Sequence, residues 1–224
     1  MIPRLSHHLS FPSPKSASPE GIVAYGGDLS PSRIMMAYRN GIFPWYSAGD
    51  PILWWSPNPR LILELEDFKL HRSLRKKIPH FEIRFDTAFS EVIRACAQIS
   101  RRKQAGSWIV PEMIEAYETL HALGYAHSVE AYQEGVLVGG LYGVSVGGVF
   151  CGESMFAKVS DASKVAFAVL VDHLREWGYA FIDCQVPTEH LKSLGAVEVT
   201  REVFLEKLAN YSVQSVSEVF QKTL

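Results

Sequence analysis

Between Ala126 and Phe156 three runs of strand formers, AHSVEAYQ, GVLVGGLYGVSVG and GVFCGESMF, follow one another with only glycine-bearing turns between them. Turns that short join antiparallel neighbours. A meander of this kind holds together only when an apolar face packs against something else. The chain must therefore supply helices to cover the sheet.

It does so on both sides of the meander. Before it, the sequence predicts a strand over LILELED (61–67), a helix with a basic face over HRSLRKKI, and a strand over FEIRF (81–85). A helix follows over TAFSEVIRACAQI, with Thr87 as its cap, then a loop RRKQAGSW and a helix VPEMIEAYETLHALG. Pro111 opens that last helix, Met113, Tyr117 and Leu120 share a face, and Gly124 stops it. After the meander, Ser160 or Asp161 caps ASKVAFAVLVDHLREW, whose stripe is Phe167, Leu170, Val171, Leu174 and Trp177. A strand YAFIDCQVP, a short helix TEHLKSLG and a strand-like AVEVTREVF come next, and the tail NYSVQSVSEVFQKTL reads as a last helix or a loose end. The fold class expected is α+β, with a mixed, mainly antiparallel sheet over residues 61–224. This element order is that of the GNAT-like acyltransferases, among other folds.

Residues 1–60 differ. Turn formers recur every few positions, in FPSP, AYGGDLSP, GIFPWYSAGDP and WWSPNPR. One helix fits, with Ser30 as N-cap, Pro31 in its first turn, Ile34, Met35, Tyr38 and Ile42 on its apolar face, and Gly41 as the stop. A small irregular N-terminal domain is expected here.

The net charge is −2, which argues against a uniformly basic nucleic-acid coat protein but leaves room for local patches. Two exist: Lys69, Arg72, Arg75, Lys76 and Lys77, and Arg101, Arg102 and Lys103. Arg72, Arg75 and Lys76 share a helix face by spacing. Such runs are either solvated faces or phosphate-binding patches. The three cysteines, Cys96, Cys151 and Cys184, make no disulfide or CxxC pattern, so a reducing cytosol is the expected location. No apolar run reaches transmembrane length, and no membrane partner is expected. The histidines lack HxxxH and HExxH spacing, and no nucleotide-binding glycine loop is present, so neither metal nor cofactor is expected.

The chemistry concentrates in two strand ends. Strand side chains alternate, so Asp183 and Gln185 should share one face and Cys184 the other. A carboxylate on an otherwise buried strand is costly unless paired. If this strand lies beside Val149–Glu153, then Glu153, Asp183 and Gln185 share one cleft. Two carboxylates there would welcome a cationic substrate. The alternatives are that Asp183 caps the TEHLKSL helix or meets a lysine, and that Glu153 is a solvated loop residue or a helix cap. Cys184 with His190 as a nucleophile pair is disfavoured, because alternation turns the thiol away. Trp45, Tyr46, Trp54, Trp55 and Trp108 are either core or flat faces for stacking bases.

GGDLSP (26–31), GIFPWYSAGDPILWWSPNPR (41–60), Trp108–Ile109, LVGGLYGV (137–144), FCGESMF (150–156), ASK (162–164) and IDCQV (182–186) stand in collinear order. With them the chain resembles the leucyl/phenylalanyl-tRNA–protein transferases of bacteria, from about Gly21 to Phe204. The resemblance implies transfer of Leu or Phe from Leu-tRNA or Phe-tRNA to proteins beginning with Arg or Lys, marking them for N-end rule degradation. It implies a GNAT-like domain after the small N-terminal one, without the Q/RxxGxG/A pyrophosphate loop of CoA-dependent relatives. MFAKVSDASK stands in that place. The implied catalytic residues are Asp183, Gln185 and Glu153. The implied pocket for the aminoacyl side chain is Leu141, Phe150, Met155, Phe167, Leu170 and Ile182, and Ile182 beside Asp183 then requires a bulge or a twisted strand end. Trp45 and Trp108 would pack on the terminal adenosine, and both basic groups would hold tRNA phosphates. A CoA-dependent N-acyltransferase would need the missing loop. A non-catalytic binder of basic N-termini would need the carboxylates but neither pocket nor basic patches.

Overall fold

A computed structural model describes residues 1–99, 109–214 and 220. The N-terminal segment forms β1 (Arg4–Leu5), β2 (Ile22–Gly26), α1 (Pro31–Arg39), β3 (Phe43–Pro44) and β4 (Leu53–Trp55). Its strands make a small sheet in the order β1-β2-β4-β3, so the segment read as irregular does contain a sheet. The strands are short because prolines and glycines interrupt their ladders, and Pro44 sits in the edge strand β3, where a missing N–H does least harm. Helix α1 begins as expected, with Ser30 before it and Pro31 in its first turn, and it buries Ile34, Met35 and Tyr38.

From Arg60 a second sheet takes over. Its elements are β5 (Arg60–Glu64), α2 (Arg72–Arg75), β6 (Glu82–Phe85), α3 (Phe89–Gln98), α4 (Pro111–Ala122), β7 (Ala126–Gln133), β8 (Val136–Val146), β9 (Val149–Ala157), α5 (Ala162–Glu176), β10 (Phe181–Gln185), α6 (Glu189–Ser193), β11 (Val197–Val199) and α7 (Arg201–Tyr211). Seven strands lie in the order β11-β5-β10-β9-β8-β7-β6. Every neighbouring pair is antiparallel except β9 with β10. A parallel pair needs a long crossover, and α5 is that crossover. This is the α+β class, with its mixed and mainly antiparallel sheet, that the element order predicts.

Local differences have local causes. LILELED is strand only to Glu64, and Leu65–Asp67 turns into a 3-10 segment. Thr87 does not cap α3; Ala88 holds that position, and the Thr87 hydroxyl donates to Glu130 at 2.8 Å. AVEVTREVF is strand only over Val197–Val199. The Thr200 hydroxyl accepts the Val203 N–H and starts α7, which buries Phe204 and Leu208 one turn apart. That cap and burial override the strand preference of the valines.

Helix α5 covers one face of the large sheet. Phe167, Leu170, Val171 and Leu174 pack with Leu61, Leu63, Leu141, Phe150 and Ile182. Each such side chain, fully buried, contributes about 1.5–3 kcal/mol. The other face packs against α3, α4, α7 and the N-terminal sheet, through Phe89, Val92, Met113, Phe204 and Trp54. Gly143 in β8 lets the Phe150 ring approach the strand closely; a Cβ there would sit 2.5 Å from the ring and also meet the Cys151 carbonyl. Gly143→Ala is therefore expected to destabilise the fold by about 1–3 kcal/mol. A lower midpoint of urea unfolding checks this.

Candidate functional site

Strands β9 and β10 pair over three positions only, Phe181 with Val149, Ile182 with Phe150 and Asp183 with Cys151. Then each strand slips. Against β5, the register of β10 shifts between Asp183 and Gln185, and Gln185 takes φ +62°. Against β8, the register of β9 shifts between Gly152 and Ser154, leaving Glu153 as the extra residue. Bulges re-aim side chains and end pairing. Here they open the sheet between β9 and β10 and turn Gln185 and Glu153 toward each other.

The opening leads into a largely apolar cavity of about 390 Å³. Leu141, Phe150, Met155, Phe167, Leu170 and Ile182 all line it. Glu153 and Gln185 are among its polar lining residues, as are Ser154, Cys184, Thr188 and His190. Its size and mix of surfaces are those of a small-molecule site.

Glu153 and Gln185 belong to a connected set of hydrogen bonds. Gln185 Nε2 donates to Glu153 Oε1 at 2.7 Å, and Tyr117 Oη donates to Glu153 Oε2 at 3.2 Å. The hydroxyls of Tyr38 and Tyr117 are 2.5 Å apart. Since the Tyr117 proton goes to Glu153, Tyr38 donates to Tyr117. Tyr38 comes from α1 and Tyr117 from α4, so the N-terminal segment braces the site. Burial pushes the Glu153 carboxyl up to about 7. The Tyr117 hydroxyl and the Gln185 amide, with Tyr38 behind Tyr117, favour the carboxylate, and the charge of Asp183 opposes it. Burial and the Glu153 charge hold both phenols well above their ordinary value.

Asp183 departs from the expected arrangement. It is 1% exposed and does not line the cavity. Its carboxylate makes a two-pronged pair with Arg60, Nε to Oδ1 at 2.8 Å and Nη2 to Oδ2 at 2.6 Å. Oδ1 also accepts the Gln185 backbone N–H at 3.0 Å. Regular alternation puts Ile182 and Cys184 on the cavity side and Asp183 behind; the bulge then brings Gln185 round to the cavity. Asp183 and Gln185 therefore do not share a face, and Cys184 is not turned away. Neither a helix cap nor a lysine holds Asp183, because the Thr188 hydroxyl caps α6 and Arg60 supplies the cation. Burial pushes the Cys184 thiol far up, leaving it unreactive.

Arg60 is itself locked. Its Nη1 donates to the Gly41 carbonyl at 3.2 Å, and its guanidinium lies 4.9 Å from the Phe43 ring and 4.3 Å from the Phe204 ring. It joins the N-terminal segment, α7 and the strand that carries the site. The sequence reading missed Arg60, Tyr38 and Tyr117. The available signals were an arginine opening an apolar strand and phenols on helix faces read as core, since a buried hydroxyl needs a partner.

Among the described residues, Trp45 and the basic group at 69–77 do not line the cavity. Trp45 is half-buried; its carbonyl accepts the Trp55 indole N–H at 2.6 Å, and its ring tilts on that of Trp55 at 5.4 Å. Lys69, Arg72, Arg75 and Lys76 are exposed and have no ion pair among the described residues. Lys77 pairs with Asp161, which lowers that carboxyl to about 2, beside Lys164. Helix α2 is only one turn long, with Lys76 as its C-cap, so the shared face is brief. Leu74 packs on Val165 and Ala168 of α5, placing these cations on the outer flank of the helix that walls the cavity. Trp108, Arg101, Arg102 and Lys103 lie outside the described residues.

Two family models match in succession. "Leucyl/phenylalanyl-tRNA protein transferase N-terminal domain" matches residues 27–58, and "Leucyl/phenylalanyl-tRNA protein transferase" matches residues 62–209. Curated relatives bearing the transferase name include one from Sulfurimonas denitrificans, 62% identical over 97% of this chain and 96% of its own. Another, from Syntrophotalea carbinolica, is 57% identical over 95% and 93%. Among solved structures, a GCN5-related N-acetyltransferase from Kribbella flavida aligns at 14% identity with a TM-score of 0.39, over 76% of this chain and 61% of that one. With both family models matched and relatives alike over nearly their whole length, the chain belongs to the leucyl/phenylalanyl-tRNA protein transferase family.

Proposed function

We propose that the protein moves a leucyl or phenylalanyl group from Leu-tRNA or Phe-tRNA to the α-amine of proteins beginning with Arg or Lys, which marks them for N-end rule degradation in the cytosol. The observation that carries this is the largely apolar cavity of about 390 Å³, in whose wall Gln185 and Glu153 are hydrogen-bonded to each other. The donor's side chain enters the apolar part. Branched aliphatic and Met walls accept both Leu and Phe, because apolar pockets separate such groups only weakly.

The aminoacyl ester is already activated, so orientation supplies much of the rate. The neutral α-amine of the acceptor attacks the ester carbonyl. An amide forms, the bond to the ribose oxygen breaks, and the amine's proton ends on that oxygen. Glu153, as carboxylate, receives the acceptor's cationic side chain. Gln185 positions the reacting groups from the same wall. Asp183 acts as a positioning residue from behind, holding the Gln185 backbone through Oδ1 while Arg60 holds Asp183. The tRNA lies along the flank of α5, where Lys69, Arg72, Arg75 and Lys76 meet phosphates, with Lys77 partly neutralised by Asp161. Arg101, Arg102 and Lys103 also meet tRNA phosphates, and Trp45 and Trp108 pack on the terminal adenosine. Binding of this kind is salt-dependent and reads little sequence.

Incubation with radiolabelled Leu-tRNA is expected to label a protein beginning with Arg and to leave its Gly-starting counterpart unlabelled. Equal labelling of the two would reject the acceptor assignment. Label in neither would reject the transfer.

A further inference from the structure

We infer that Phe220 sets the depth of the apolar cavity, and with it the size of the donor side chain that is accepted. This rests on the cavity being the donor side-chain site.

Helix α7 ends against the β8–β9 turn: the Gly148 N–H donates to the Tyr211 carbonyl at 2.8 Å. A Cβ on Gly147 would lie 2.5 Å from the Ser212 carbonyl oxygen. The chain leaving α7 is therefore seated on the turn that starts β9, the strand carrying Phe150. Further along, Phe220 returns to this region and is only 5% exposed. Its ring stacks on His127 at 4.0 Å and 11°, and meets the edge of Trp177 at 4.6 Å. The His127 ring is fixed in turn by Asp86, with Nδ1 and Oδ2 2.8 Å apart. The Phe220 and Phe150 rings lie 6.1 Å apart at 25°, within the range of interacting aromatic pairs.

Phe150 lines the cavity and Phe220 does not. The Phe150 ring is confined by the Gly143 backbone on one side, where there is no room even for a methyl group. Phe220 packs against it without itself lining the cavity. Phe150 is thus the floor, and Phe220 is what keeps the floor from dropping. Removing the Phe220 ring leaves a void into which Phe150 relaxes, because neighbours collapse partly into such space. The cavity then deepens and favours the larger donor.

The test uses the full-length protein with Leu-tRNA and Phe-tRNA competing for one acceptor. Phe220→Ala is expected to raise the Phe:Leu transfer ratio on the order of tenfold, the scale by which apolar pockets sense volume. Phe220→Leu should raise it less, and Phe220→Trp, which pushes Phe150 inward, should lower it. The ratio does not depend on how much enzyme is folded, so lost stability alone cannot produce the shift. Leu170→Ala enlarges the cavity directly. A shift with Leu170→Ala but none with any Phe220 variant would overturn the role of Phe220 and leave the pocket standing. No shift with either would overturn the pocket assignment as well.

Discussion

Arg60→Ala is expected to cost about 3–5 kcal/mol of folding stability, the cost typical of breaking a buried ion pair from one side. Both partners are 1% exposed, so the Asp183 carboxylate would be left in the core without a cation or water. The loss also frees the Gly41 carbonyl and empties the space between Phe43 and Phe204. Arg60→Lys should recover little, because an ammonium cannot make the two-pronged contact. Chemical denaturation checks the size. A double-mutant cycle with Asp183→Ala checks the cause: Arg60→Ala should cost much less once the carboxylate is gone. Equal costs in both backgrounds would show that the pair is not what Arg60 supplies. Asp183→Ala by itself should leave tRNA binding nearly intact while lowering transfer strongly, because the Gln185 N–H loses its acceptor.

Glu153→Gln is expected to lower kcat/KM for Arg-starting acceptors by about 1.5–3 kcal/mol, the worth of a hydrogen bond to a charged group and roughly 10- to 150-fold. Glutamine keeps the shape and can still bond to Gln185 and Tyr117, so the lost charge dominates. The carboxyl titrates near pH 7, raised chiefly by burial. The ionised form receives the cation, so KM for an Arg-starting acceptor should fall more steeply between pH 6 and pH 8 in the native protein than in the variant, where the acceptor's own α-amine still titrates at about 8. Stability runs the other way. A carboxyl whose folded value is raised keeps its proton longer in the folded state, so stability falls as pH rises from about 4.5 through 7. Relative to the native protein, Glu153→Gln should therefore melt higher at pH 8 than it does at pH 5. A variant that loses activity but shows the native pH dependence of KM would place the cation elsewhere.

Much of the fold was legible because its causes are local. Gly-bearing turns between β-rich runs make a meander wherever they occur. Pro31 and the stripe Phe167, Leu170, Val171 and Leu174 act within a few residues of themselves, and α1 and α5 form as read. Helix α7 was missed because its Thr200 cap stands inside a stretch rich in strand formers. The six apolar pocket positions came from the family motifs, and they do line one cavity.

The residues of this chain by themselves determined most of the elements from Arg60 to Gly195, their order and the family, since periodicity, caps and motifs are properties of neighbours along the chain. Only the tertiary structure decided which way Asp183, Cys184 and Gln185 point. For Asp183 and Cys184 that depends on which face of β10 the cavity lies against, and for Gln185 on one extra residue, since a single slip reverses every side chain beyond it. It also decided that Asp183 would meet Arg60, 123 positions away in sequence, because two groups so distant become partners only after β5 and β10 have paired.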